Sequence, residues 1–303
     1  MGNTAHKPSW RSYYELTKPR VVALIVFTAI IGMFLATDVH SAPFPHWQAL
    51  VFGSLGIWFA AASAAVVNQV LDQRIDAEMN RTRHRPLVTD QLSDKHALVF
   101  ALVLGVLSML MLYLWVNPLT ALLTFFSLLG YAIIYTAYLK RATPQNIVIG
   151  GAAGAAPPLL GWVAVTGEVH AVAIILFLII FTWTPPHFWA LAIHRREEYA
   201  KVNIPMLPVT HGVAFTNLHI MFYTILLILV TLLPYLIGFS GWLYLLGAIG
   251  LGGRYLYYAI AIRDEAREDI PMKSFWFSIN YLMLIFVFLI VDHYLPLVSQ
   301  AFA

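Results

Sequence analysis

Nine apolar runs, each long enough to cross about 30 Å of hydrocarbon as a helix, divide this chain: residues 21–37, 48–71, 97–116, 119–139, 146–165, 171–192, 216–236, 242–262 and 274–295. Backbone in lipid must satisfy its own N–H and C=O groups, so each run is predicted to be a helix. Hydrophobic residues make up 60% of the sequence and charged ones only 11%, against about 25% charged in soluble domains. The expected fold is an all-α membrane protein with nine transmembrane helices in a single bundle. Its plan is a lead-in over 1–20, a bundle over 21–295 and a tail over 296–303.

The basic residues orient that bundle. Lys7, Arg11, Lys18 and Arg20 precede the first run. Arg74, Arg81, Arg83, Arg85 and Lys95 follow the second, Lys140 and Arg141 the fourth, Arg195, Arg196 and Lys201 the sixth, and Arg263, Arg267 and Lys273 the eighth. Of the 18 Lys and Arg, only Arg254, inside the eighth run, lies elsewhere. The positive-inside rule then puts the N-terminus in the cytoplasm and the C-terminus outside. Such a basic surface meets anionic headgroups of the lipid bilayer and does not call for nucleic acid. Without cysteine there is no disulfide framework and no thiolate catalyst. The first 20 residues lack a signal peptide's apolar core, and a bacterial inner membrane is the expected location. Trp10, Tyr13 and Tyr14 suit an interfacial position, where a short helix could lie.

Chemistry concentrates in two cytoplasmic loops, 72–96 and 193–215, four runs apart. Asn68, Asp72 and Asp76 are spaced by four, so on a helix they stack along one face with about 6 Å between neighbours. Carboxylates at a helix C-terminus oppose its dipole, a penalty that a bound divalent cation would reverse. An oxygen-only set of two Asp and one Asn suits Mg²⁺, which leaves its remaining positions to water and substrate phosphate. Arg81, Arg83 and Arg85 follow at once, with the geometry to grip phosphate oxygens. The second loop offers Glu197 and Glu198 beside Arg195, Arg196 and Lys201.

Further features lie within the runs. Gly150 to Ala156 is built of small residues that let helices approach closely. Pro157-Pro158 and Pro185-Pro186 are expected to break their spans. His187 follows the second pair and, at intervals of seven and eleven, shares a helical face with His194 and Glu198. A lone membrane histidine is often only a satisfied hydrogen-bond partner. Tyr131, Tyr135 and Tyr138 lie at helical spacing before Lys140, as interfacial aromatics or as rings facing a cation. Arg254, roughly 13 Å from the end of its run, is predicted to face the bundle interior.

The string Asn68-x3-Asp72-x3-Asp76, followed by Arg81-Thr82-x-x-Arg85-Pro86-Leu87, resembles the first aspartate-rich motif of the UbiA superfamily of intramembrane prenyltransferases, which are nine-helix bundles. Three more strings narrow the likeness to the branch that uses heme: Tyr135-Thr136-x-x-Leu139-Lys140-Arg141-x-Thr143-x-x-Asn146, Thr184-Pro185-Pro186-His187-Phe188-Trp189 and Ile204-Pro205-Met206-Leu207-Pro208. The resemblance covers about residues 10–295. It departs at Glu197-Glu198-Tyr199, where the family commonly has Asp-Asp-Tyr, which leaves open which of the two glutamates binds metal.

The resemblance implies farnesyl diphosphate and heme B as substrates. The allylic cation left by diphosphate would be captured by a heme vinyl group, with water ending as a hydroxyl. Mg²⁺ on Asp72, Asp76, Glu197 and Glu198 would neutralise the leaving group. Asn68, Arg81, Arg85, Arg141 and Lys201 would hold the diphosphate, with Lys140 and Tyr135 in catalytic positions. For a heme substrate, His187 becomes an iron contact and Arg254 a propionate partner. Heme A synthase or a terminal oxidase would be the downstream partner. Prenylation of a quinone precursor and solute transport are the rival readings. The Pro-Pro-His-Phe-Trp string opposes the first, and the clustering of carboxylates at one face opposes the second.

Overall fold

The computed structural model describes residues 9–80, 82–264 and 266–301, with side chains through Leu297, and every regular element among them is a helix. In chain order these are α1 (Trp10–Leu16), α2 (Pro19–Leu35), α3 (Ala49–Glu78), α4 (Asp94–Trp115), α5 (Pro118–Ala142), α6 (Asn146–Thr166), α7 (Ala171–His194), α8 (Arg196–Lys201), α9 (Leu207–Thr210), α10 (Gly212–Leu236), α11 (Trp242–Ala261) and α12 (Ile270–Ala301). The long helices coincide with the nine apolar runs. Seven of them are long and apolar enough to cross a membrane, and the pair α1–α2, bent by 53°, makes an eighth; α11 falls outside that set.

Local signals explain the boundaries. Ser93 caps α4 by accepting from His96 N, and Asn117 caps α5 by accepting from Thr120 N at 2.8 Å, with Pro118 in the first turn. The bend between α1 and α2 falls at Lys18, a left-handed residue (φ 50°), followed by Pro19 as the first residue of the new helix.

The proline pairs do not break their helices, contrary to the expectation from sequence: α6 runs through Pro157 and Pro158, and α7 through Pro185 and Pro186. Pro157 cannot donate to Ala153 O. That carbonyl instead accepts from Ser127 Oγ of α5 at 3.4 Å, so the backbone group is satisfied without unwinding. Two π-helical segments do interrupt regular geometry, at Ala49–Gly53 and Gly130–Leu139.

Small residues set the spacing between helices. A Cβ on Gly161 would lie 1.9 Å from Ala29 O, and one on Gly32 would lie 2.1 Å from Pro158 O, so α2 and α6 meet backbone to backbone. Ser63 Oγ donates to Ala101 O at 2.7 Å and Ser108 Oγ to Gly56 O at 2.6 Å, tying α3 to α4. The largest apolar core lies among α7, α10, α11 and α12, around Leu176, Ile179, Tyr244, Tyr255, Tyr281 and Phe286. At one end of that core Asp292 of α12 accepts from Gly241 N and from Tyr244 N, capping α11.

Candidate active site

Asn68, Asp72 and Asp76 lie on the last turns of α3 as one buried row, at 5%, 1% and 4% exposure. A row of two carboxylates inside a membrane-spanning helix is tolerable only if cations reach it, and three other elements supply them. Lys140 of α5 donates to Asp72 Oδ2 at 2.6 Å, and Asn68 Nδ2 donates to the same oxygen at 2.8 Å. Arg141 Nη2 donates to Leu71 O and stands 3.9 Å from Asp72 Oδ1. Arg85, on the loop after α3, pairs with Asp76 Oδ2, while Thr82 Oγ1 bonds Asp76 O at 3.0 Å. Arg81 lies outside the described residues.

Lys18, which its place in the sequence assigns only to the lead-in, completes the ring. Its ammonium donates to Asn68 Oδ1. The signal available in the sequence was Lys18-Pro19: a proline fixes the first turn of α2 and leaves the preceding lysine in the bend, pointing back at α3. Lys18, Arg85, Lys140 and Arg141 face Asp72 and Asp76, so positive charge exceeds negative before any substrate arrives. That excess is matched to a polyanion such as a diphosphate.

The π-helical stretch of α5 aims the neighbouring side chains. Thr136 Oγ1 donates to Tyr131 O, five residues back, at 2.8 Å, and accepts from Asn68 Nδ2 at 3.3 Å. Such segments are frequent where a functional side chain must be re-aimed. Tyr131 and Tyr135 stack at 5.5 Å. Tyr135 lies on Gly150 of α6, where a Cβ would come within 2.1 Å of its ring. Tyr138 is exposed on the outside of the bundle and does not join them.

The second acidic loop divides its residues. Glu197 and Lys201 are exposed on α8, whereas Glu198 is half-buried, its buried Oε2 3.6 Å from Arg195 Nη1 and, among the described residues, with no hydrogen-bond donor. Tyr199 is buried, within electrostatic reach of Tyr135. Among the described residues no three His, Asp or Glu side chains gather as a metal cage. The set of Asp72, Asp76, Glu197 and Glu198 is therefore not assembled: Arg and Lys neutralise the aspartates, and Glu197 points away. Among the described residues Asp72 Oδ1 is buried with no hydrogen-bond donor. Two oxygen-bearing aspartates with one open buried oxygen fit Mg²⁺, which takes one or two carboxylates and shares substrate phosphate.

Two expectations about the interior need correction. His187 and His194, seven residues apart on α7, share a helical face as expected, but Glu198 does not continue it, because α7 ends at His194 and the chain turns at Arg195 (φ −105°, ψ 22°) before α8 begins. His194 is exposed, while His187 is buried between Trp183 at 4.2 Å and Phe275 at 4.5 Å, with Nδ1 2.6 Å from Ser278 Oγ. Arg254 does not face the interior. It is exposed on the outer side of α11, its guanidinium 4.9 Å from the rings of both Tyr257 and Tyr258, bonding Tyr258 Oη at 3.2 Å. The aromatic faces hold its charge at the surface, which makes an interior partner unnecessary.

A helical membrane bundle with buried aspartates and an excess of cations at one end has the form of an intramembrane prenyltransferase, and the chain belongs to the UbiA prenyltransferase family, which it matches over residues 25–288. Solved structures share its fold: that of a digeranylgeranylglyceryl phosphate synthase superposes with a TM-score of 0.78 at 20% identity, covering 93% of this chain and 98% of that one. A UbiA homologue from Archaeoglobus fulgidus bound to GPP and Mg²⁺ gives 0.61 at 16% identity, covering 92% and 99%. Sequence relatives are far nearer. The chain is 59% identical to a protoheme IX farnesyltransferase of Nitrosococcus oceani over 95% of each chain. It is 57% identical to that of Azotobacter vinelandii over 98% of each.

Proposed function

We propose that this chain transfers the farnesyl group of farnesyl diphosphate to a vinyl group of heme B, with addition of water, giving heme O and diphosphate. The observation that carries the chemistry is the ring of Lys18, Arg85, Lys140 and Arg141 around Asp72 and Asp76. The choice of substrates rests on the near full-length identity to protoheme IX farnesyltransferases.

In this reading the diphosphate lies against Lys18, Arg85, Lys140 and Arg141, with Asn68 oriented by Lys18 and Thr136. As the allylic C–O bond breaks, its electron pair leaves with the diphosphate, and the cationic ring stabilises the charge that develops there. Asp72 and Asp76 would hold Mg²⁺, which would supply further neutralisation of the leaving group. Tyr131 and Tyr135 present ring faces beside the site, where an allylic cation is stabilised without a nucleophile. The heme vinyl carbon then bonds the farnesyl carbon, and water adds to the resulting cation with loss of a proton. Glu198, turned inward, is the second-loop carboxylate that would approach the metal and diphosphate; Glu197 is not. His187 is the candidate heme contact. The charge asymmetry supports nine spans, with the site at the cytoplasmic face of a bacterial inner membrane and the C-terminus outside.

The test is to incubate the purified protein with heme B, farnesyl diphosphate and Mg²⁺ and to look by mass for the hydroxyethylfarnesyl product. Product from the wild type, at least 100-fold slower in Asp72→Asn and Asp76→Asn, supports the reading. Unchanged rates in both variants would overturn the role of the aspartates, and absence of product in the wild type would overturn the reaction.

A further inference from the structure

The imidazole of His187 is immobilised on three sides. Trp183 stacks on it at 4.2 Å and 18°, Phe275 at 4.5 Å and 23°, and Phe188 meets it edge-on at 5.0 Å. Its Nδ1 lies 2.6 Å from Ser278 Oγ. That hydroxyl lies equally close, 2.6 Å, to the carbonyl oxygen of Phe275, one turn earlier on α12. Trp183 Nε1 donates to Ser278 O at 2.7 Å, so α7 and α12 are tied together on both sides of the serine.

Proton counting fixes the tautomer. A carbonyl oxygen cannot donate, so the contact between Ser278 Oγ and Phe275 O requires the serine's single proton. The serine then has none left for His187, and the 2.6 Å contact to Nδ1 is a hydrogen bond only if Nδ1 carries the proton. The described contacts of the imidazole are three aromatic rings and one hydroxyl, with no carboxylate among them, surroundings that favour the neutral ring. A neutral ring protonated at Nδ1 bears its lone pair on Nε2. We infer that Ser278 is a positioning residue that holds His187 in the Nε2-lone-pair tautomer, so that the imidazole is presented as an axial ligand to the iron of the porphyrin substrate.

This rests on the farnesyl-transfer reading and deepens it, since it assigns Ser278 a part in heme recognition through His187. The logic is that of metal-bound histidines generally, whose second nitrogen donates to a fixed acceptor that sets ring orientation and basicity. Here the acceptor is a hydroxyl already committed to a backbone carbonyl, so it cannot rotate to donate instead. The three aromatic rings packed on the imidazole restrict its rotation as well.

The experiment titrates heme B into the full-length protein in detergent and records ferric and ferrous visible spectra with the iron–histidine stretching band by resonance Raman. Wild type is expected to show histidine ligation, which His187→Ala abolishes. Ser278→Ala is expected to keep the ligand but weaken heme binding about ten-fold and shift the iron–histidine band, while Ser278→Thr restores both. If Ser278→Ala does not fold, Ser278→Cys, a weaker donor and acceptor, is expected to give an intermediate band shift. Spectra and affinity in the serine variants identical to wild type would overturn the inference, as would a wild-type spectrum unchanged in His187→Ala. Wild-type protein that makes the farnesylated product without histidine ligation would overturn this inference alone. Wild-type protein that neither binds nor farnesylates heme would overturn the underlying function with it.

Discussion

Lys140 Nζ and Asp72 Oδ2, 68 residues apart in the chain, meet at 2.6 Å and join α5 to α3 at the centre of the candidate site. Their side chains are 17% and 2% exposed, so either one left alone would be a poorly solvated charge. Breaking a buried pair costs up to about 3–5 kcal/mol, less where water reaches one partner. Lys140→Met and Asp72→Asn are each expected to lower the thermal midpoint, with the double variant recovering part of the loss. Additive losses in a double-mutant cycle would show that the pair is not coupled.

Lys18 reaches Asn68 from the bend between α1 and α2 and adds a charge that the first acidic motif does not itself contain. Losing a charge-assisted hydrogen bond to a diphosphate oxygen costs roughly 1.5–3 kcal/mol. Lys18→Met is therefore expected to raise the KM for farnesyl diphosphate by about 10–100-fold while leaving the KM for heme unchanged. Steady-state kinetics with each substrate varied in turn check it; equal effects on both would point to a general loss of structure.

Gly150 and Gly154 sit one turn apart on α6 and offer a controlled comparison. A methyl group at Gly150 would meet the Tyr135 ring at 2.1 Å, whereas one at Gly154 meets nothing within 4 Å. Gly150→Ala is expected to displace Tyr135 and lower kcat at least ten-fold, and Gly154→Ala to leave it within two-fold, of the order of a 1.4 kcal/mol change against a negligible one. Equal rates for the two variants would remove Tyr135 from the site.

The inward Glu198 and outward Glu197 are separable by substitution. Glu198→Gln is expected to raise the Mg²⁺ concentration needed for half-maximal rate several-fold, and Glu197→Gln to leave it unchanged. A chelator should stop turnover and added Mg²⁺ restore it. A larger effect at Glu197 would mean that α8 turns over when substrate binds.

Arg254→Leu is expected to leave heme affinity and turnover within two-fold of wild type, because the guanidinium is stacked on Tyr257 and Tyr258 at the outer surface of α11. Loss of heme binding in this variant would place a heme propionate at that surface.

The helical plan was legible because apolar runs of membrane length leave the backbone no alternative, and the row Asn68, Asp72, Asp76 because four-residue spacing and helical pitch are both local properties. Partnerships between distant segments were not. Nothing in the sequence tells Glu198 from Glu197, since which one turns inward depends on where α7 ends at Arg195. Nothing in it places Lys18 on Asn68, since that depends on a bend and on the docking of α2 beside α3. The proline pairs misled for a related reason: proline withholds a donor, a local fact, but whether the helix breaks depends on what neighbouring helices offer in return, such as Ser127 to Ala153 O. Sequence alone determined which groups this chain must bury. Tertiary packing decided which charges and hydroxyls meet them, because the cost of a buried polar group is met only by a partner brought in from elsewhere in the chain.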